Sequence, residues 1–419
     1  GDAATAAGRL SEERHRAGRA RSALDGVTMG VKDIISTIEG PTTAQSRALP
    51  AEWGRRIGDA TVVSRLRSAG AVIVGKTSTM EFACGTPGDL PDYDVPENPW
   101  ALGRWPGGSS SGTAIAVASG MVSAGLGTDT AGSIRIPAAY CGVTGLKPTV
   151  GRVPTHGCVP YGASLDCIGP IARSAEECGM VLATLLAEDQ PAEPPPYAAP
   201  SPGTADLTGV TIGVDDLSRF GNQDPAVTAA FGAATQVLSD LGADLRQVEL
   251  PLYEEISAVC GLLVGVEAFD SHRENLARAW DGYGASTRLL LASGALLGAP
   301  DYRRLQRVRR HGQQRIADAF TTVDAILTPT VSSGAFPHDE MGARLAERAW
   351  TTLYTMYWNV LGNPALSVPM GFDGDGLPLG LQIAGRPFEE DRLVAIGAAF
   401  QQRTTWHTAV PAMDGGTHV

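Results

Sequence analysis

Ala60-Thr61-Val62-Val63-Ser64-Arg65-Leu66-Arg67-Ser68-Ala69-Gly70-Ala71-Val72-Ile73-Val74-Gly75-Lys76-Thr77 can be read in two ways, and the fold turns on the choice. From Gly70 onward it fits GxxxxGK[ST], the pattern of a loop that cradles phosphate. Such a loop needs the residues between its glycines to keep their N–H groups free for the ligand. Here those residues are Ala71, Val72, Ile73 and Val74, a strand by propensity, and a strand spends its N–H groups on its neighbours. Ahead of them the spacing is helical: Val62, Val63, Leu66 and Ala69 fall on one face, and Gly70 stops the helix. The stretch therefore reads as helix, glycine and buried strand, and nucleotide binding is set aside.

The same rhythm extends in both directions. VTMGVKDII (27–35) is strand-like, with Lys32 inside an apolar run. TAIAVASGMVSAGLG (113–127) reads as a tightly packed core helix and its exit. Residues 1–25 are polar and Ala/Arg-rich, a helix with frayed ends. Residues 210–216 read as a strand, 225–243 as a helix stopped at Gly242, and 244–251 as another strand. From 253 to 320 the pattern is helical. VDAILTPTV (323–331), ALSVPMGF (365–372) and LGLQIAGRP (379–387) read as buried strands. The expected fold is α/β: a mixed twisted sheet covered by helices on both faces, in one large domain over 1–419. Within it, 25–180 form a core, the Pro-rich 188–206 a surface linker, and 207–419 the remainder.

Composition bounds the function. The chain has 419 residues and a net charge of −12, which argues against gripping nucleic acid as its main task. The arginines at 303, 304, 307, 309, 310 and 315 then read as a solvated helix face. No apolar run reaches the roughly 18 residues that span a bilayer, and the first residues hold no apolar signal core, so a cytoplasmic location is expected. The six cysteines show no CxxC and no zinc-like spacing, and read as reduced and mostly buried. Only Lys32, Lys76 and Lys147 are lysines; every other side chain of that charge is Arg. A buried Lys can lose its proton and Arg cannot, so chemistry is sought in the first 150 or so residues.

Gly108-Ser109-Ser110-Ser111-Gly112 fits GxSxG, with Ser110 as an apparent nucleophile. The nucleophile elbow needs a strand directly before it, and Arg104-Trp105-Pro106-Gly107 is poor strand. None of the seven His residues stands in a context that marks a base.

Taken together, GVKDI, GKTSTMEFACG, NPW, PGGSSSG and GTDTAGSIRIPAAYCGVTGLKPT resemble the amidase signature family, and GRVP extends the match. The resemblance runs over about 25–180 and returns in DAILTPT, NPALSVPMGF and GLPLGLQIAGRPFEED. It implies a Ser-cisSer-Lys triad, with Ser133 as acyl-accepting nucleophile, Ser109 as bridge after a cis Gly108–Ser109 bond, and Lys32 as base. It also implies an oxyanion hole from backbone N–H groups at Thr130, Ala131, Gly132 and Ser133. Ala131 stands where many members carry Gly, which serves if its φ is negative. Asp129 is expected as a buried acceptor shaping that loop and Arg135 as its partner. Phe82, Ala83, Cys84 and Tyr161 are candidate pocket walls, and Lys76 and Lys147 are expected to be structural.

The chemistry is self-consistent. A hydroxyl both donates and accepts, so Ser109 can take a proton from Ser133 and hand its own to Lys32. Lys32 must then be neutral, which requires burial to lower its pKa to about 7–8. The resemblance implies hydrolysis of linear carboxamides with no cofactor and no metal. The expected partner is a small-molecule amide, with no nucleic acid and no membrane, and a homodimer is left open. The alternatives are the A subunit of a glutamine-dependent tRNA amidotransferase, which would bring in tRNA, or a biosynthetic acyl-transferring amidase. GVEAFDSHRENLARAWDGYG (265–284) looks more like the free-standing amidases.

Overall fold

In the computed structural model, which describes residues 2–186, 205–220, 223–346 and 349–412, the opening choice resolves as a strand. Helix Thr61–Ser68 buries Val62, Val63 and Leu66 and ends at Gly70, whose φ is +95°. The strands are β1 (Thr28–Lys32), β2 (Val72–Thr77), β3 (Ala124–Asp129), β4 (Thr144–Lys147), β5 (Cys167–Ala172), β6 (Thr211–Val214), β7 (Asp244–Gln247), β8 (Ala325–Pro329), β9 (Ala365–Phe372) and β10 (Pro378–Gly385). Among the described residues these ten form one sheet in the order β2-β1-β3-β5-β4-β9-β10-β8-β6-β7. The sheet is mixed: β2, β1 and β3 are parallel, the centre from β5 to β10 is antiparallel, and β8, β6 and β7 are parallel again. The expected α/β fold in one large domain is the observed one.

Alternation along the strands explains how both faces are covered. Successive side chains point to opposite faces. On one face Leu126, Ile168, Leu146, Leu366 and Leu381 are fully buried with Val181, Leu182, Leu393 and Val394 of helices Ala175–Leu185 and Glu390–Arg403. Each such side chain contributes about 1.5–3 kcal/mol relative to exposure. Several of the alternate positions are glycines: Gly125, Gly127, Gly145, Gly169 and Gly380. A Cβ on Gly145 would stand 2.8 Å from Ala138 Cβ and Ile134 Cγ2, and one on Gly380 would stand 2.6 Å from Ala139 Cβ. Helices Ser111–Ala118 and Arg135–Cys141 thus lie directly on a glycine floor. This close approach brings the start of both helices to the ends of β1 and β3, where the candidate site forms.

Two expectations need correction. Helix Asp2–Arg16 stops well short of residue 25. The run 113–127 is not all helix and exit: AGLG (124–127) belongs to central strand β3, sandwiched between β1 and β5. The Pro-rich segment read over 188–206 lies, except for its last two residues, outside the described residues. Among the described residues no helix is long and apolar enough to cross a membrane.

Candidate active site

β1 ends in Lys32, whose side chain is fully buried beneath the start of helix Ser111–Ala118. Lys32 Nζ lies 2.7 Å from Ser109 Oγ and 2.8 Å from Thr128 Oγ1. Burial is the main cause that lowers its pKa from the usual 10.5 to about 7; nearby Cys158, Asp129 and Asp166 pull the other way. The amine is therefore poised between its two forms at neutral pH. The Gly108–Ser109 peptide bond is cis, as the resemblance implies. Ser109 O accepts from Met80 N at 3.3 Å, and Ser111 Oγ donates to Gly107 O at 2.6 Å, pinning the loop from both sides.

The second half of the site is the turn between β3 and helix Arg135–Cys141. Ser110 N–H donates to Ser133 O at 3.1 Å, which ties the two loops together. Ser133 and Ala131 are half-buried, unlike their neighbours Thr130 and Gly132. Among the described residues the Ser133 hydroxyl has no hydrogen-bond partner, so no hydrogen bond joins it to Ser109. Catalytic hydrogen bonds are often long without substrate and tighten when it binds.

Asp129 organises this turn. Its carboxylate accepts from Gly132 N (2.7 Å), Ile134 N (3.2 Å), Arg135 Nε and Nη2 (both 3.0 Å) and Asn359 Nδ2 (2.7 Å). Burial alone would raise its pKa, but the charge and hydrogen bonds of Arg135, with Lys147 and Asn359, outweigh burial and hold it at about 2. Asp129 is thus a fixed anion. Arg135, also fully buried, completes its donors on Gln382 Oε1 (2.7 Å), Asn359 Oδ1 (2.5 Å) and Thr355 O (3.1 Å). The expected pairing of Asp129 with Arg135 is present.

Of the four residues expected to supply oxyanion donors, Gly132 gives its N–H to Asp129 Oδ1 at 2.7 Å. Ala131 is not among the residues with positive φ, whereas Gly132 adopts +130° and a Cβ there would collide with Thr355 Oγ1.

Ala83 and Tyr161 line a cavity of about 80 Å³ together with Thr128, Thr130, Cys158 and Asp166. Phe82 and Cys84, expected beside them, do not line it. Phe82 and Ala83 are consecutive left-handed residues, at φ +49° and +63°, and Phe82 packs edge-on against His272 with ring centroids 4.6 Å apart. Cys84 is buried, and burial pushes its thiol far above the usual range. Asp166, unnoticed in sequence, accepts from Thr130 Oγ1 at 2.5 Å and from the N–H groups of Tyr161 and Gly162, so it joins the pocket loop to the oxyanion turn.

The other lysines are satisfied locally. Lys76 Nζ bonds Ile35 O and Thr42 Oγ1 and pairs with Asp33 at 3.3 Å; Lys147 Nζ donates to Pro148 O at 2.9 Å. Ser110, the apparent nucleophile of GxSxG, turns its hydroxyl onto the main chain of Thr128, donating to its O at 3.1 Å. Among the described residues no cluster of His, Cys, Asp and Glu could hold a metal ion, and all six cysteines are free thiols.

Comparison with known proteins identifies the family. The Amidase family model matches residues 1–394. The chain is 40% identical to the A subunit of the glutamyl-tRNA(Gln) amidotransferase of Chloroflexus aggregans, over 98% of this chain and 89% of that protein. The native peptide amidase of Stenotrophomonas maltophilia superposes with a TM-score of 0.80 at 30% identity, covering 98% of this chain and 89% of that one. The A subunit of the glutamyl-tRNA(Gln) amidotransferase of Thermotoga maritima gives a TM-score of 0.76 at 32% identity, covering 91% and 84%. With a family match over nearly its whole length and relatives of both kinds at these identities, the chain belongs to the amidase family and is an enzyme of carbon–nitrogen bond chemistry.

Proposed function

We propose that the protein hydrolyses a linear carboxamide to a carboxylate and ammonia or an amine, through an acyl-enzyme on Ser133. The observation that carries this reading is the fully buried Lys32 amine, 2.7 Å from Ser109 Oγ and with a pKa of about 7. Ser133 Oγ attacks the amide carbonyl carbon while its proton passes to Ser109, whose own proton passes to Lys32. The developing oxyanion is met by the N–H groups of Ala131 and Ser133, neither of which donates elsewhere among the described residues. As the tetrahedral adduct collapses, the C–N bond breaks, and the proton returns from Lys32 through Ser109 to the leaving nitrogen. Water then repeats the sequence on the ester and frees Ser133. The reaction occurs in one chain, with a small-molecule amide as the expected partner and a cytoplasmic location.

A second reading has its own support. At 40% identity, the matched amidotransferase A subunits favour glutamine as the amide, with the ammonia passed on in a complex that also holds tRNA. Both readings share the same first half-reaction. Ammonia release should be measured on a panel of aryl, aliphatic and indole-type carboxamides with Gln included. Turnover of a simple amide by the chain alone supports the hydrolase. Turnover of Gln only after a partner protein is added would replace it with the amidotransferase reading.

A further inference from the structure

We infer that Thr128 is the positioning residue of Lys32: its hydroxyl accepts an N–H from Nζ and so turns the amine lone pair toward Ser109. This rests on the proton path proposed above. A neutral amine has two N–H bonds and one lone pair. To receive the Ser109 proton, the lone pair must lie along the 2.7 Å axis to Ser109 Oγ. The other hydrogen bond that Nζ makes among the described residues is the 2.8 Å contact to Thr128 Oγ1. Two contacts from one nitrogen fix its rotation about Cε–Nζ, so without Thr128 the lone pair is free to swing off the axis.

Thr128 is itself held stiffly. It sits in β3, in register with Ile168 of β5, and β-branching restricts its χ1. Its main chain is clasped by Ser110: Thr128 N donates to Ser110 Oγ at 3.2 Å, and that hydroxyl donates back to Thr128 O at 3.1 Å. The residue next to the bridging serine thus sets the height of the residue that orients the base. Thr128 also lines the 80 Å³ cavity, together with the exposed residues Thr155, Pro160 and Ala163. The titratable groups that act on Lys32 are Cys158, Asp129 and Asp166, on three separate segments, and a change at Thr128 removes none of them.

The test uses the rate at which a fluorophosphonate probe labels the full chain, measured from pH 5 to 10 in wild type, Thr128→Val, Thr128→Ser and Lys32→Met. Valine keeps the branched shape and deletes the acceptor. The charged form of Lys32 loses a hydrogen bond, so the midpoint should move down by about 1 pH unit, and the plateau rate should fall on the order of tenfold. Serine should restore both. If circular dichroism shows Thr128→Val unfolded, Thr128→Ala carries the same expectation. A folded Val or Ala variant with an unmoved midpoint, or a Ser variant as slow as Val, would overturn the positioning role. Lys32→Met separates the two claims: if it labels as fast as wild type, the proton path itself fails. If it is inert while Thr128→Val stays unshifted, only the role of Thr128 fails.

Discussion

Replacing Lys32 by Arg keeps the positive charge and approximate length but removes the ability to become neutral. In the folded chain Lys32 has a pKa of about 7 instead of 10.5. At pH 7 roughly half of it is neutral, against about one part in 3,000 for an unperturbed lysine. Burial of the amine therefore supplies on the order of a thousandfold in available base. Arg, with a pKa above about 12, supplies none at working pH. Turnover of an amide identified in the substrate panel should fall roughly 10²–10⁴-fold, the usual range for a general base. The wild-type rate should rise with pH through a single ionisation near 7, and that rise should vanish in the variant. Lys76→Arg is the control: its ammonium is held by Ile35 O, Thr42 and Asp33, and the swap should cost far less. Circular dichroism and melting must accompany the kinetics, since a buried guanidinium could also destabilise the fold. A folded Lys32→Arg enzyme with near-normal turnover and the wild-type pH profile would refute the role of Lys32 as base.

The same buried amine costs stability. Between pH 7 and 10.5 the unfolded chain holds a proton that the folded chain has released, so stability rises with pH across that window and the cost is greatest below pH 7. Lys32→Met should therefore raise Tm below pH 7, by no more than about 5 kcal/mol in stability, with the gap to wild type closing as pH approaches 10.5; a gap independent of pH would contradict the assigned titration. Arg135→Met should destabilise by about 3–5 kcal/mol in urea unfolding, because it leaves the Asp129 anion buried without its main partner. If the variant is as stable as wild type, Asp129 is not the fixed charge described above.

Where the sequence spoke clearly, the physical cause was local. Lys32 stood out because an apolar strand surrounds it, and AVIVG because four residues in a row favour extended chain. β4 and β5 gave no such signal. Gly145 and Gly169 occupy positions that would show alternation, because that face of these strands is approached closely by Ile134 and Ala138. The network around Asp129 was half legible. Arg135 is six residues away, but Asn359 and Gln382 arrive from chain segments more than 200 residues distant, and only the folded sheet brings them together. Thr128 lay inside the quoted motif, yet its hydroxyl gains meaning only once β3 is set beside β1. The pocket walls were the weakest reading, since a left-handed pair at Phe82 and Ala83 sends neighbouring side chains to different places.

Whether Ser133 carries the acyl group is most directly decided by intact-protein mass spectrometry with peptide mapping after fluorophosphonate treatment, comparing wild type with Ser133→Ala. The account predicts one adduct per wild-type chain, mapped to Ser133, and an unmodified Ser133→Ala protein that still melts cooperatively. An adduct on Ser109 or Ser110, or a folded Ser133→Ala chain that is still labelled, would contradict it.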